Sequence, residues 1–405
     1  MDELEPIKTS HLPVARYIEP KNNGFLRLFI SKQLIHGAAT ALLGIFVPIF
    51  LYETAGQLFW IVGLYYALLS ALYVFLLVPG MHVANKIGFS HTLVLGGIFS
   101  VILYTIMYFM NPQNMLYLLA PLTIAIVGFR IFHWVPFHVD FTLFTEAGER
   151  GRQVSLTFAT VAFMGVIGPI LAGFIIANAG YPALFGTAVV LLIAATISYA
   201  FVPETPTHFD WSLKETWQKL FSPEFRSVVV GEVANGAETA VNLIAWPIFL
   251  YVLLSGNVFD IGAVSTVIVA VTIVIQIFAG RYLDRETTSK ERTLKVGSTL
   301  YALGWILKIF VLSTLHVFVI GLYHNIVKIF TATPYSAIIY DMSSDKGDYV
   351  DEFTVVREMA THVGRFACLV TISLLTLFIP IAWTFLLAAA ASIALNLVYR
   401  VHHAT

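Results

Sequence analysis

Charge is scarce in this 405-residue chain: Asp, Glu, Lys and Arg together make up 12%, about half the share usual in soluble proteins. Cysteine is scarcer still. Cys368 stands alone, so the chain has no intramolecular disulfide. It lies in an apolar run and reads as a small buried hydrophobe. No GxxxxGK[ST] stretch occurs, and no long polar segment is present to form a nucleotide-binding domain, which argues against ATP-driven transport. No nucleophile–base arrangement suggests an intramembrane enzyme, and no cofactor is expected. The first 24 residues are polar, begin acidic and lack the apolar core of a cleavable signal peptide. They read as a cytoplasmic tail, 1–25.

Apolar residues are abundant instead. They make up 58% of the chain, and the mean hydropathy is +0.81. Runs of about 20 apolar residues, each long enough to cross a bilayer of about 30 Å, recur from end to end. A soluble enzyme, a secreted disulfide scaffold and a nucleic-acid binder are excluded, and the lipid bilayer is the expected surroundings. Twelve spans are expected: 26–52, 59–80, 92–110, 116–142, 153–177, 182–202, 227–253, 260–281, 293–313, 316–341, 354–378 and 381–400. The runs are continuous rather than alternating, so they read as helices and not as barrel strands. The chain is therefore expected to be an all-α polytopic membrane protein.

Orientation follows from Lys and Arg. The turns at 52–58, 111–115, 178–181, 254–259, 314–315 and 379–380 contain neither residue. The opposite side carries Lys8, Arg16, Lys86, Arg150, Arg152, Lys214, Arg285, Lys290 and others. Both termini are thus expected on the cytoplasmic side of the plasma or inner membrane. The long polar insertion 204–226 reads as a cytoplasmic linker, with an amphipathic helix over 212–221 lying on the membrane face. It separates a six-helix bundle, 26–203, from a second, 227–405.

The two halves repeat. GAATALLGIFVPIFLY (37–52) aligns with GAETAVNLIAWPIFLY (236–251) at an offset of 199, with ten identities that include Pro48 and Pro247. RIFHWVPF (130–137) aligns with KIFTATPY (328–335) at an offset of 198. Apolar bias explains scattered Leu and Ile matches, but not aligned prolines and paired cations at a constant offset. An even number of spans separates matched helices, so the repeat is parallel.

Two parallel six-helix halves joined by a cytoplasmic linker resemble the major facilitator superfamily, over nearly the whole chain. The superfamily signature G-x-L-a-D-r-x-G between its second and third helices is similar to Ala84-Asn85-Lys86-Ile87-Gly88, with Asn85 in place of the acid and Met81 in place of the leading glycine. A second copy, Gly280-Arg281-Tyr282-Leu283-Asp284-Arg285, keeps both. The resemblance implies an alternating-access transporter, in which helices 1, 4, 7 and 10 line a central cavity. It also implies that Asn85, Lys86, Asp284 and Arg285 take part in state-dependent contacts, and an amide at 85 is expected to weaken that latch. In helix 5, Gly165, Gly168-Pro169 and Ala172-Gly173 resemble the G-P-x-x-G-G pattern of proton-linked exporters. Close packing through small residues explains the same pattern.

Ionisable side chains near the bilayer midplane cost about 2.5–3.5 kcal/mol on insertion scales and face a cavity or a partner. Four lie near the centres of spans: Arg130, Lys328, Arg365 and Glu238. Arg130 and Lys328 are matched by the repeat and are expected to face one another across the pseudo-two-fold axis, with Arg365 nearby. Three cations against one acid leave a positive field that a bound anion offsets. The competing reading pairs these cations internally with Glu238, Glu232, Asp140 and Glu358. Polar faces on four helices support a cavity: His324, Lys328, Thr331 and Tyr335; Arg130, His133, Phe137 and Asp140; Asn235, Glu238 and Asn242; and Glu358, His362 and Arg365. Trp134, Trp246, Phe137 and Tyr335 suit the apolar part of a ligand. Lys32 and Lys308, nearer span ends, are expected to snorkel to the interface.

The expected substrate is a small organic or amphiphilic anion, held by Arg130, Lys328, Arg365, His133, His324, Tyr335 and Trp246. Coupling to protons is expected through Glu238, His362 and Glu358, with gating at Asn85, Lys86, Asp284, Arg285, Gly168 and Pro169. The family expectation is a monomer. No metal site is expected, because His133 and His138 point to different faces and no HxxxH pair appears. The alternatives are a drug-type proton antiporter or neutral-solute carrier, and a non-transporting receptor or scaffold of the same fold.

Overall fold

The structure is a computed structural model that describes residues 24–144, 150–205, 208–283, 290–344 and 350–398. Every expected span is helical over most of its length, because backbone groups in lipid must pair within their own segment. The helices are α1 (Gly24–Leu43 and Phe46–Thr54), α2 (Phe59–Ile87), α3 (Phe89–Phe109), α4 (Met115–Phe144), α5 (150–179), α6 (181–199), α7 (Pro223–Leu253), α8 (Val258–Leu283), α9 (Lys290–Lys308), α10 (Thr314–Ser344), α11 (Val350–Leu375) and α12 (Ile381–Ala394). Among the described residues, seven helical stretches are long and apolar enough to cross a membrane, or eight with the bent α1. One of these, Ala159–Tyr199, runs across the α5–α6 break. α9 and α11 carry more charge, and α12 is shorter.

Local irregularities trace to particular residues. Gly180, at φ 75°, ends α5 and starts α6 in one step, a conformation that costs glycine little. Gly88, at φ 89°, ends α2 and closes the signature segment in the same way. α1 bends by 40° between Leu43 and Phe46. Pro48 explains the position: it has no N–H to offer the carbonyl four residues back, at Gly44. The repeat places Pro247 in the same position on α7, where residues Val241–Ala245 form a π-helical turn. The matched prolines therefore perturb both helices at the same level.

Packing repeats the pseudo-symmetry. In the first half Gly96 of α3 lies against the backbone carbonyl of Phe132 on α4, and in the second Gly297 of α9 lies against that of Phe330 on α10. Tyr52 and Tyr251 end the two aligned PIFLY segments and meet edge to face, with ring centroids 6.0 Å apart. Repeat-equivalent residues that touch one another lie on the pseudo-two-fold axis. The halves join along two further seams. Tyr73 of α2 donates to Glu358 of α11, and Thr266 of α8 donates to the Val166 carbonyl of α5 at 2.7 Å.

The linker contains a helix, Leu213–Leu220, capped by the Ser212 hydroxyl, which accepts from the Glu215 N–H. Ahead of it, Phe209 and Trp211 are buried. The linker thus docks on the helical bundle as a strap.

Candidate functional site

A cavity of about 310 Å³ opens between the halves, lined from α1, α2, α3, α4, α7 and α11. Arg130 on α4 and Arg365 on α11 both line it, within electrostatic reach of one another. Arg365 Nε donates to Thr239 Oγ1 at 3.3 Å, and one of its terminal nitrogens lies 3.3 Å from His362 Nε2. Because a guanidinium only donates, His362 presents a bare Nε2 there. Glu358 lies within electrostatic reach of Arg365 and accepts from Tyr73 at 3.3 Å. Leu43, Ile126, Phe129, Ile244 and Leu369 form apolar walls, while Tyr66, Ser70 and Thr40 add hydroxyls.

A second cavity, about 160 Å³, lies inside the C-terminal half among α7, α9, α10, α11 and the end of α12. Glu238, Tyr301, Lys328 and Tyr335 line it with Asn235 and Arg357. Glu238 Oε1 accepts from Tyr301 at 2.6 Å. Glu232, one turn and a half earlier on α7, accepts from Arg357 at 3.1 Å, Thr361 at 2.9 Å and Asn235 at 3.0 Å. Three donors on a buried carboxylate, one of them charged, offset its desolvation.

The structure brings some of the sequence-derived residues together and separates others. Arg130 and Arg365 line the same cavity. Lys328 does not face Arg130: it lines the cavity in the C-terminal half, because the repeat fixes backbone positions while the neighbouring side chains differ between halves. His133 lines neither cavity. It is buried against His36, the two rings stacked at 4.5 Å, with Phe129 and Tyr199 around them. His324 is likewise buried, 4.3 Å from the Tyr301 ring and 4.7 Å from that of Trp305. Tyr335 and Glu238 line the second cavity, and Glu358 and His362 flank Arg365.

Lys308 and Lys32 do not snorkel. Lys308 is 2% exposed, and its ammonium sits 4.1 Å from the Trp246 ring and 4.0 Å from that of Trp305. Trp246 therefore serves a lysine of the chain. Lys32 is 8% exposed and lies over Phe137 at 5.1 Å and Trp134 at 5.5 Å. Aromatic faces attract a desolvated cation strongly enough to keep it inside. Sequence reasoning missed the Lys308 cage and the His36–His133 stack. A partial signal for the first was available, since Trp305 and Lys308 are three apart on one helix face.

Among the gating residues, Asn85 pairs with the linker backbone, its Nδ2 donating to the Phe209 carbonyl at 2.7 Å and its Oδ1 accepting from the Phe209 N–H at 2.9 Å. An amide suits this pairing, because it both donates and accepts, whereas a carboxylate only accepts. Lys86 is exposed. Asp284 and Arg285 lie outside the described residues. Gly168 packs on Ala41 of α1, and the Pro169 carbonyl on Gly262 of α8. No group of three or more His, Cys, Asp or Glu side chains converges as metal ligands among the described residues.

Comparison with known proteins agrees with this architecture. Solved structures of similar fold include a POT family transporter in complex with 5-aminolevulinic acid, 12% identical with a TM-score of 0.67, covering 94% of this chain and 96% of the other. A POT family transporter bound to a thioalcohol-conjugated peptide is 11% identical with a TM-score of 0.68, covering 94% and 96%. A peptide transporter POT in complex with sulfate is 10% identical with a TM-score of 0.65, covering 94% of each chain. At such identities the likeness is one of fold. An uncharacterised protein of Bacillus subtilis strain 168, YqgE, is 22% identical over 242 residues, which span 58% of this chain and 56% of that protein. The family model of the Major Facilitator Superfamily matches residues 29–349, and with the repeated, helical, multi-pass architecture this places the chain in that superfamily of membrane transporters.

Proposed function

We propose that the chain is a secondary active transporter that moves a small organic or amphiphilic anion by alternating access. The observation that carries this reading is the pair of guanidinium groups, Arg130 and Arg365, lining one cavity between the halves with Glu358 as the nearby carboxylate. Two cations against one acid favour an anionic ligand, and guanidinium grips carboxylate or phosphate bidentately. The apolar walls favour an organic anion over a hydrated inorganic one. Neighbours of the same fold bound to 5-aminolevulinic acid and to sulfate fit a site for a small molecule that carries an anionic group.

In this reading the bundles 26–203 and 227–405 rock about the cavity as a monomer in the cell membrane, with both termini and the linker 204–226 cytoplasmic. Asn85 holds the linker side, and Gly168 and Pro169 lie on the α5 seam. Glu358, His362 and Glu238 carry the coupling protons, since protonating a carboxylate beside Arg365 or the lysines frees a cation for substrate. His133 and His324 pack behind the cavity-lining Phe129 and Tyr301, and Trp246 packs on Lys308, so these three shape the walls rather than touch the ligand.

The test is flux into proteoliposomes of anionic, neutral and cationic metabolites, with and without an imposed pH gradient. Anion-selective flux that Arg130→Ala abolishes, and that Glu238→Gln uncouples from pH, supports the reading. Neutral-solute flux unchanged in Arg130→Ala overturns the anion site, and absence of flux for every class favours a receptor or scaffold.

A further inference from the structure

The charged groups around the two cavities do not balance. Among the described residues, Arg130, Arg365, Arg357, Lys308 and Lys328 are five cations, and Glu232, Glu238 and Glu358 are three carboxylates. Arg357 is matched to Glu232 by an ion pair, and Glu358 lies with Arg365. Glu238 is held by Tyr301 and lies within electrostatic reach of the caged Lys308. One cation remains in each cavity: Arg130 in the central one and Lys328 in the other.

Lys328 makes no ion pair and no hydrogen bond among the described residues. Its nearest specific contact is the Tyr301 ring, 5.9 Å from the ammonium. It lies on a face of α10 with Thr331, Ala332, Tyr335, Ser336 and Ile339, at the spacing of one helical stripe, and all of these line the same cavity. A lysine with no partner, three hydroxyl-bearing neighbours and enclosed space together make a receptor for an anion's oxygens. The volume, about 160 Å³, is that of a cavity that accepts a benzene-sized guest. It suits a ligand of about six heavy atoms and is too small for an amphiphile.

We infer that Lys328 forms a second anion site, inside the C-terminal half and separate from the Arg130–Arg365 cavity, for one small carboxylate- or phosphate-bearing molecule. An anion held there is carried by one half alone and neutralises the surplus charge beside Glu238. The site goes beyond the transport reading and does not depend on which anion the central cavity takes.

The test is thermal unfolding of the purified full chain titrated with sodium acetate or inorganic phosphate, against sodium gluconate of equal ionic strength. Gluconate is too large for the cavity and controls for salt. The expected result is a saturable rise in Tm with at least one of the two probes, retained in Arg130→Gln. Lys328→Gln should weaken the apparent affinity tenfold or more. Ala332→Phe, which fills the cavity but leaves Lys328 in place, should do the same, and it decides the matter if Lys328→Gln does not fold. A response to acetate alone assigns the site to carboxylates, and a response to phosphate alone to phosphates. No response in the wild-type chain, or a response lost in Arg130→Gln and kept in Ala332→Phe, overturns the inference. Loss of amphiphile transport in Arg130→Ala tests the central cavity separately, so the two readings fail independently.

Discussion

The Asn85 side chain and the Phe209 backbone exchange two hydrogen bonds, 2.7 Å from Nδ2 to the carbonyl and 2.9 Å from the N–H to Oδ1. The next residue, Asp210, donates its N–H to Glu352 of α11 at 3.1 Å. Consecutive linker residues are thus held by α2 of one half and α11 of the other, so the strap stitches the halves at the linker end. Asn85→Asp should break one of the two bonds and leave a part-buried carbonyl unsatisfied, at a cost of about 1–3 kcal/mol. Limited proteolysis of the linker is expected to quicken in this variant. Cleavage at the wild-type rate would mean that Phe209 burial alone holds the strap.

The same end of the molecule should respond to pH. Asp351 begins α11 ahead of the membrane span, where burial and the neighbouring Glu352 push its carboxyl up to about 7 from 3.8. Glu352 is raised too, first by burial. An acid whose folded pKa exceeds its unfolded value stabilises the fold at low pH, and that contribution is lost as pH rises through the folded pKa. Tm should therefore fall between about pH 4 and pH 7. Asp351→Asn should flatten this slope, and a variant with the wild-type slope would place the titration elsewhere.

The glycines of the α5 pattern should separate by what each touches. A Cβ at Gly168 would meet the Ala41 carbonyl carbon at 2.6 Å, and one at Gly173 the Val258 carbonyl oxygen at 2.7 Å. At Gly165 the nearest atom is a Val269 methyl at 3.6 Å. Gly168→Ala and Gly173→Ala should each cost about 1–3 kcal/mol through forced backbone shifts. Gly165→Ala should be neutral or stabilise by up to about 1 kcal/mol from helix propensity. Thermal unfolding of the three variants checks this, and equal effects would show that the pattern acts as a unit rather than through its contacts.

The positions of the helices, the matched prolines and the parallel repeat were legible in the sequence because lipid imposes them. Each span must be apolar and internally paired, and a proline disturbs the helix at a fixed distance. Side-chain neighbourhoods were less legible. Arg130 and Lys328 are equivalent in the repeat, yet Arg130 shares a cavity with Arg365 from the other half while Lys328 lines a different cavity within its own. The repeat aligns Trp134 with Ala332, so even the aromatic surroundings diverge. Lys308 was misread because its cage is assembled from Trp246 on α7 and Trp305 on α9, a convergence that spacing along one helix does not reveal.

That cage yields the sharpest prediction. Lys308 is held by two indole faces, each worth about 2 kcal/mol to a desolvated cation, and it lies within electrostatic reach of Glu238. Lys308→Met keeps much of the volume but strips a nearby cation from a buried carboxylate whose direct partner among the described residues is Tyr301. Removing one member of a directly bonded buried pair costs about 3–5 kcal/mol, and because Lys308 acts on Glu238 without a direct bond among the described residues, the loss should fall below that range. Glu238→Gln should cost less, because the indoles still hold the ammonium. The double variant should recover much of the loss, since it leaves neither charge stranded. A double-mutant cycle on thermal or denaturant stability measures the coupling directly. Strong coupling makes Lys308 the internal counter-charge of Glu238 and leaves Lys328 as the cation without one. Additive effects would instead mean that the indoles alone hold Lys308, and the positive charge left for a ligand in the second cavity would have to be shared between the two lysines.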